Sequence, residues 1–215
     1  MSAYILENGD FAPFYGVTIL SSIKNIEDLK PLFSILEKEK EIVLLDKPNL
    51  KIYDIYSQTL DSLIGDSCKA IDEWYSKNGG VLKPYQFLEF DTILPSHYEA
   101  KEVLKDLFPQ NFEISKNLEL RIKNNKLILH FNFKYPEHKK AIENIYNKLN
   151  DIYGTKKIFS RSIVLGYFKK SYFNFTLEKL SLLNSLIPKK IFINSPDVFQ
   201  YKNVNSYVHY SKGMY

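Results

Sequence analysis

The run Phe159-Ser160-Arg161-Ser162-Ile163-Val164-Leu165-Gly166-Tyr167-Phe168 reads as a strand. Successive side chains on a strand point to opposite faces, so Ser162, Val164 and Gly166 share one face while Ile163, Leu165 and Tyr167 share the other. The second face is apolar and belongs in a core. The first is small and polar enough to line a cleft, with Arg161 and Lys169 adjacent in sequence. Alternation sets Arg161 and Tyr167 opposite Ser162. Just upstream, Pro136 is suited to the first position of a long helix, because its missing N–H is one that a helix start leaves unpaired anyway. Ala141, Ile142, Ile145, Leu149 and Ile152 form its apolar stripe, and Gly154 ends it.

Outward from this helix-to-strand unit, Leu118–Ile122 and Leu127–Phe133 alternate, with Lys123-Asn124-Asn125 supplying the turn of a hairpin. His130 shares a face with Ile128 and Asn132 and, with no partner at a readable spacing, reads as a structural or surface histidine. Thr176 caps a helix through Leu180, Leu183 and Leu186, late strands follow at Lys190–Ile193 and Asp197–Tyr201, and the tail Tyr207–Tyr210 is a candidate for another. In the front half, Pro13–Leu20 reads as a first strand or an extended arm. Asn25 is placed to cap a helix carrying Leu29, Leu32, Phe33 and Leu36, which begins at Pro31 or bends there, and Glu41–Leu45 and Leu50–Ile55 read as strand, turn, strand. Thr59–Tyr75 reads as a further helix, with Cys68 on its buried side, and Ser96-His97-Tyr98-Glu99 matches a capping box. Strands interrupted by helices, with hairpins and no regular βαβ alternation, predict an α+β fold with a mixed or antiparallel sheet.

The 215 residues fit a single domain, 1–215, large enough to bury a core without disulfides or metals. One cysteine excludes an internal disulfide, and four scattered histidines leave no zinc spacing, so neither a metal nor a cofactor is expected. Phosphate-binding and dinucleotide glycine motifs are absent. The N-terminus lacks the basic start and apolar run of a secretory signal, and no apolar stretch is long enough to span a bilayer, so a cytoplasmic protein without a membrane partner is expected. Positive charge is concentrated toward the end: from Asp151 to Tyr215 there are ten Lys/Arg against three Asp/Glu, although the whole chain carries only +4. Such a bias favours a phosphate-bearing ligand or an acidic protein partner, against the plainer reading of solvated lysine pairs.

Two parts of the chain share a pattern of amphipathic helix, turn and strand: Pro31 to Lys40 leading to Leu50–Ile55, and Pro136 to Tyr153 leading to Ser162–Phe168. This arrangement resembles the two-histidine (2H) phosphoesterase, or LigT-like, superfamily, in which two lobes each present a His-x-Thr or His-x-Ser motif on a strand facing a shared cleft. The resemblance implies a two-lobed LigT-like domain with helices outside, and makes residues 56–84 a helical insertion. Its motif positions fall on Lys51 and Tyr53 in the first lobe and on Ser162 and Val164 in the second, so all four signature residues are replaced.

In that superfamily one histidine serves as base and the other as acid, work that needs groups titrating near neutrality. Ser162 does not titrate there, and Val164 donates no hydrogen bond. The resemblance therefore implies a catalytically degenerate protein, with no catalytic residue expected. Lys51, Tyr53, Arg161 and Ser162 are the candidates to bind a phosphate of a nucleotide or RNA, and Tyr167 is a stacking aromatic if it faces the cleft. The alternatives are an active phosphodiesterase on cyclic or 2′-5′ linked nucleotides that uses Lys51 and Tyr53, and a protein-interaction factor with no nucleotide ligand.

Overall fold

A computed structural model of the chain describes residues 4–6, 8–12, 14–59, 95–169 and 175–209. The elements in order are β1 (Phe14–Ser22), a 3-10 turn (Ile26–Leu29), α1 (Lys30–Leu36), β2 (Ile42–Leu44), β3 (Asn49–Thr59) and α2 (Pro95–Leu107). Then come β4 (Phe112–Ile114), β5 (Lys116–Lys123), β6 (Lys126–Asn132), α3 (Pro136–Tyr153), β7 (Ser162–Phe168), α4 (Leu177–Asn184), β8 (Ile191–Ile193), β9 (Asp197–Asn203) and β10 (Ser206–His209). The expected insertion at 56–84, including Cys68, falls largely outside the described residues.

The fold is α+β. Its main sheet runs β10-β9-β1-β3-β7-β6-β5, with β2 paired to β7 beside β3, and β4 and β8 form a separate ribbon. Every strand pair among the described residues is antiparallel. The halves β10-β9-β1-β3 and β7-β6-β5 meet at a single register pair, Leu50 with Ile163. The two strands singled out in the sequence therefore lie side by side at the middle of the sheet.

Buried residues from all four described helices join one core: Leu32 and Leu36, Ala100 and Leu104, Ile142 and Leu149, and Leu183. They meet Ile52, Leu129, Ile163 and Leu165 from the sheet. Helix α3 supplies the largest share. Pro136 opens it and Gly154 ends it in the left-handed region at φ 61°. Each fully buried aliphatic on its stripe is worth about 1.5–3 kcal/mol as an upper figure. The hairpin between β5 and β6 turns through Asn124 and Asn125 at φ 51° and 59°, the two left-handed residues of a type I′ turn. Thr176 caps α4 by accepting from the Lys179 N–H at 3.2 Å, whereas Asn25 reaches across to accept from the Phe192 N–H at 2.8 Å.

Two irregularities in the ladder matter more than the ladder itself. On β3, Lys51 pairs with Leu20 and Tyr53 with Ile19, so Ile52 is an extra residue. On β7, Val164 pairs with Ile128 and Gly166 with Leu127, so Leu165 is extra. Each β-bulge inserts one residue and reverses the facing of everything beyond it. Tyr167 therefore joins the Ser162–Val164 face, contrary to the alternation read from the sequence. Gly166 is where β2 comes closest: a Cβ there would sit 2.7 Å from the Val43 carbonyl oxygen. Gly166→Ala is expected to cost about 2 kcal/mol, since the obstacle is backbone of a paired strand. A urea midpoint unchanged from the parent would contradict this.

Two imidazoles lie in settings that disfavour their charge. Burial pushes the His138 pKa below its ordinary value, opposed by Glu137 and Glu113, and its Nδ1 has no partner among the described residues. His130 is lowered by burial and by Arg121 and Arg161. Because both bind protons more weakly folded than unfolded, their stabilisation is complete above about pH 6.5 and is lost as pH falls below it. Melts at pH 7.5 and 5.5 should show a drop that shrinks in His138→Gln. An equal drop in parent and variant would remove His138 from the account.

Candidate functional site

The sheet face turned away from the helical core carries a cavity of about 300 Å³. Lys51 from β3 and Ser162 from β7 both line it, as does Val164. The two strands present these residues to one space because they are neighbours in the sheet. Lys126, Lys123 and Asn124 enter from the β5–β6 hairpin, and Lys47 from the β2–β3 loop. That loop is held by Asn205, which accepts from the Asp46 N–H at 2.8 Å and donates to Asp46 Oδ2 at 2.9 Å.

Aromatic walls complete the site. Tyr167 packs with Tyr4 at 5.4 Å between ring centroids and with Phe11 at 6.5 Å, so the N-terminal segment closes one end. Lys126 Nζ lies 4.7 Å from the Tyr4 ring centroid and 5.5 Å from that of Tyr167. Burial holds the Tyr4, Tyr167 and Tyr207 phenols above their ordinary pKa, so each remains a neutral hydroxyl at physiological pH. The Ser160 and Ser162 hydroxyls are hydrogen-bonded to each other at 2.8 Å.

The electrostatics are lopsided. Four lysines line the cavity, and the carboxylate that meets them is Asp54, 3.6 Å from Lys51 Nζ and 3.4 Å from the Tyr201 hydroxyl. Lys126 makes no salt bridge with any described residue. Burial lowers its pKa and Lys51 lowers it further, with Asp54 acting in the opposite sense. Such a set of ammonium groups in a partly enclosed pocket attracts an anion and has hydroxyl donors to orient it.

Two of the sequence candidates lie elsewhere. Tyr53 is fully buried on the helical side, because the bulge at Ile52 turns it away from Lys51. Its hydroxyl donates to Asn150 Oδ1 at 2.9 Å and is hydrogen-bonded to Thr155. Arg161 is exposed, donates to Asn132 Oδ1 at 2.6 Å, and lines a different groove beside Tyr146 and Phe159. Neither belongs to the cavity. His130 stands across from Ser162 on the same sheet face but is not among the cavity's lining residues.

Sequence reading missed Lys126, the most enclosed charge in the cavity. A signal was present: Lys126 stands two residues before Ile128, on the hairpin face identified as opposite the core. Tyr4 and Lys47 had no such signal, since their placement depends on loop docking; Tyr207 falls in the tail read as a further strand, but nothing in its pattern pointed to the cavity.

Fold and site together define an α+β protein whose antiparallel sheet carries helices on one face and a basic, aromatic cavity on the other. No family model matches the chain, and no curated protein matches it in sequence. Among solved structures it is similar to a conserved protein of unknown function from Agrobacterium tumefaciens strain C58, with a TM-score of 0.56 and 12% identity over 97% of this chain and 90% of that one. At that identity the likeness speaks for the fold alone. No described helix is long and apolar enough to cross a membrane.

Proposed function

We propose that this protein is a catalytically degenerate member of the 2H phosphoesterase-like class that binds a phosphate-bearing ligand, a nucleotide or short RNA, in the cavity between β3 and β7, acting in the cytoplasm. The observation that carries this reading is the convergence of Lys47, Lys51, Lys123 and Lys126 on one space, with Ser162 and tyrosine hydroxyls beside them. Lysines meet phosphate as mobile point charges, and hydroxyls add direction. The half-buried Tyr4 ring, packed on the buried Tyr167, offers apolar surface at one end of the cavity.

Catalysis has less support. A phosphodiesterase built on Lys51 and Tyr53 would need both in one cleft, and the Ile52 bulge separates them. Calorimetric titration against 2′,3′-cyclic nucleotides, cyclic dinucleotides and short RNAs should give binding that weakens with added salt, as charge-driven association does. Absence of heat and of any melting shift with all three at low salt would remove the ligand. A stoichiometric protein captured under the same conditions would then favour the interaction-factor reading.

A further inference from the structure

We propose that Lys126 is a nucleophilic amine, and that the cavity captures small aldehydes bearing a phosphate as a reversible imine on its Nζ. The proposal rests on the phosphate reading for its anion seat and goes beyond it in assigning covalent chemistry to one residue.

Position is the first argument. Lys126 opens β6 directly after the type I′ turn and pairs across the ladder with Tyr167, so its backbone is fixed on both sides. The turn is itself docked on β7, where the Phe168 N–H donates to the Asn125 carbonyl at 2.9 Å. The rings of Tyr4 and Tyr167 bracket the amine at the cavity wall.

Freedom from ion pairing is the second. Lys51, in the same cavity, is paired with Asp54, whereas Lys126, like Lys47 and Lys123, holds no carboxylate among the described residues; of these three Lys126 alone is half-buried, the other two being exposed. An amine shielded from water beside another cation gives up its proton more readily, and the direction found for Lys126 agrees. The aromatic faces favour the ammonium and offset part of this.

The chemistry balances without an oxidant or a metal. Neutral Nζ adds to the aldehyde carbon, forming a C–N bond as the carbonyl π electrons pass to oxygen, which takes a proton to give a carbinolamine. Loss of that hydroxyl as water, with the proton from nitrogen, leaves C=N; the net change is aldehyde plus amine to imine plus water. The hydroxyl of Tyr207 lines the same cavity, a hydrogen-bonding group for the carbinolamine oxygen, and the departing water takes its second proton from nitrogen. Lys47, Lys51 and Lys123 remain to hold the phosphate.

The test uses the full chain with pyridoxal 5′-phosphate and pyridoxal as paired probes, borohydride to trap the imine, and peptide mass spectrometry to locate it. The expected result is about tenfold more label on Lys126 than on any other lysine with the phosphorylated probe, and a preference of similar size over pyridoxal. Lys126→Arg, which keeps a charge but forms no imine, should lose that label while its melting temperature shows the fold intact. Label spread evenly over surface lysines would overturn the proposal even where nucleotide titration succeeds. Equal labelling of Lys126 by both probes would overturn the phosphate seat, and with it the substrate class.

Discussion

Asn150→Leu is expected to lower unfolding free energy by about 2–4 kcal/mol, the range for leaving several partly buried polar partners unmet at once. The Asn150 Oδ1 accepts from the Tyr53 hydroxyl at 2.9 Å, from Thr155 Oγ1 at 2.8 Å and from the Lys157 N–H at 3.0 Å, while its Nδ2 donates to the Lys157 carbonyl at 3.0 Å. Lys157 continues the chain of contacts, donating from Nζ to the Asp54 carbonyl and to that of Ile55 at 3.2 Å. One amide at the end of α3 thereby ties the helix, the connection to β7 and the irregular stretch of β3 together. Leucine fits the volume and satisfies none of the partners. Asn150→Asp keeps the acceptor and loses only the donor, so it should cost less, about 1–2 kcal/mol. Denaturant unfolding of both variants measures this, and a leucine variant within 1 kcal/mol of the parent would show the amide to be dispensable.

Lys51→Glu is expected to weaken binding of a phosphate-bearing ligand about 100-fold while leaving stability nearly unchanged. A charge-assisted hydrogen bond contributes about 1.5–3 kcal/mol, and the reversed charge adds repulsion on top of its loss. Lys51 is half exposed, and its 3.6 Å pairing with Asp54 is of the kind that contributes little to folding. Tyr53→Phe should behave in the opposite way, with measurable destabilisation and unaltered binding, because its hydroxyl is spent on Asn150 and Thr155. Titrating both variants at two salt concentrations separates the roles. Equal loss of affinity in the two would mean that the cavity is not the binding site.

Much of the architecture was legible in the sequence because it depends on local chemistry. Pro136 and Gly154 bound α3, Asn124-Asn125 encode their turn, and Thr176 caps its helix, each through backbone preferences that need no distant partner. Lys51 and Ser162 line one space, an arrangement that the family resemblance implied and that the shared helix-then-strand pattern alone does not dictate. What was not legible follows from single-residue departures from alternation. The extra residues Ile52 and Leu165 carry no marker of their own, being aliphatics like their neighbours. They send Tyr53 into the helix-side core and Tyr167 into a second buried cluster on the other face, with Ile5, Leu45 and Val204. Arg161 was assigned to the site by nearness in sequence, yet it precedes the first residue of β7 and points to the other side, as alternation itself required. Tyr4, from the far end of the chain, reaches the site only through packing on Tyr167.

The bulge in β3 also sets the terms for anyone rebuilding catalysis in this scaffold. Side chains sharing the cavity side of β3 are three apart, Lys51 and Asp54, whereas on β7 they are two apart, Ser162 and Val164. On the phosphoesterase-like reading proposed above, histidine and threonine placed at 51 and 53 would put the threonine in the core, whereas positions 51 and 54 share the cavity side. A motif search written with fixed spacing would pass over such a strand even in a relative whose reactive pair was intact.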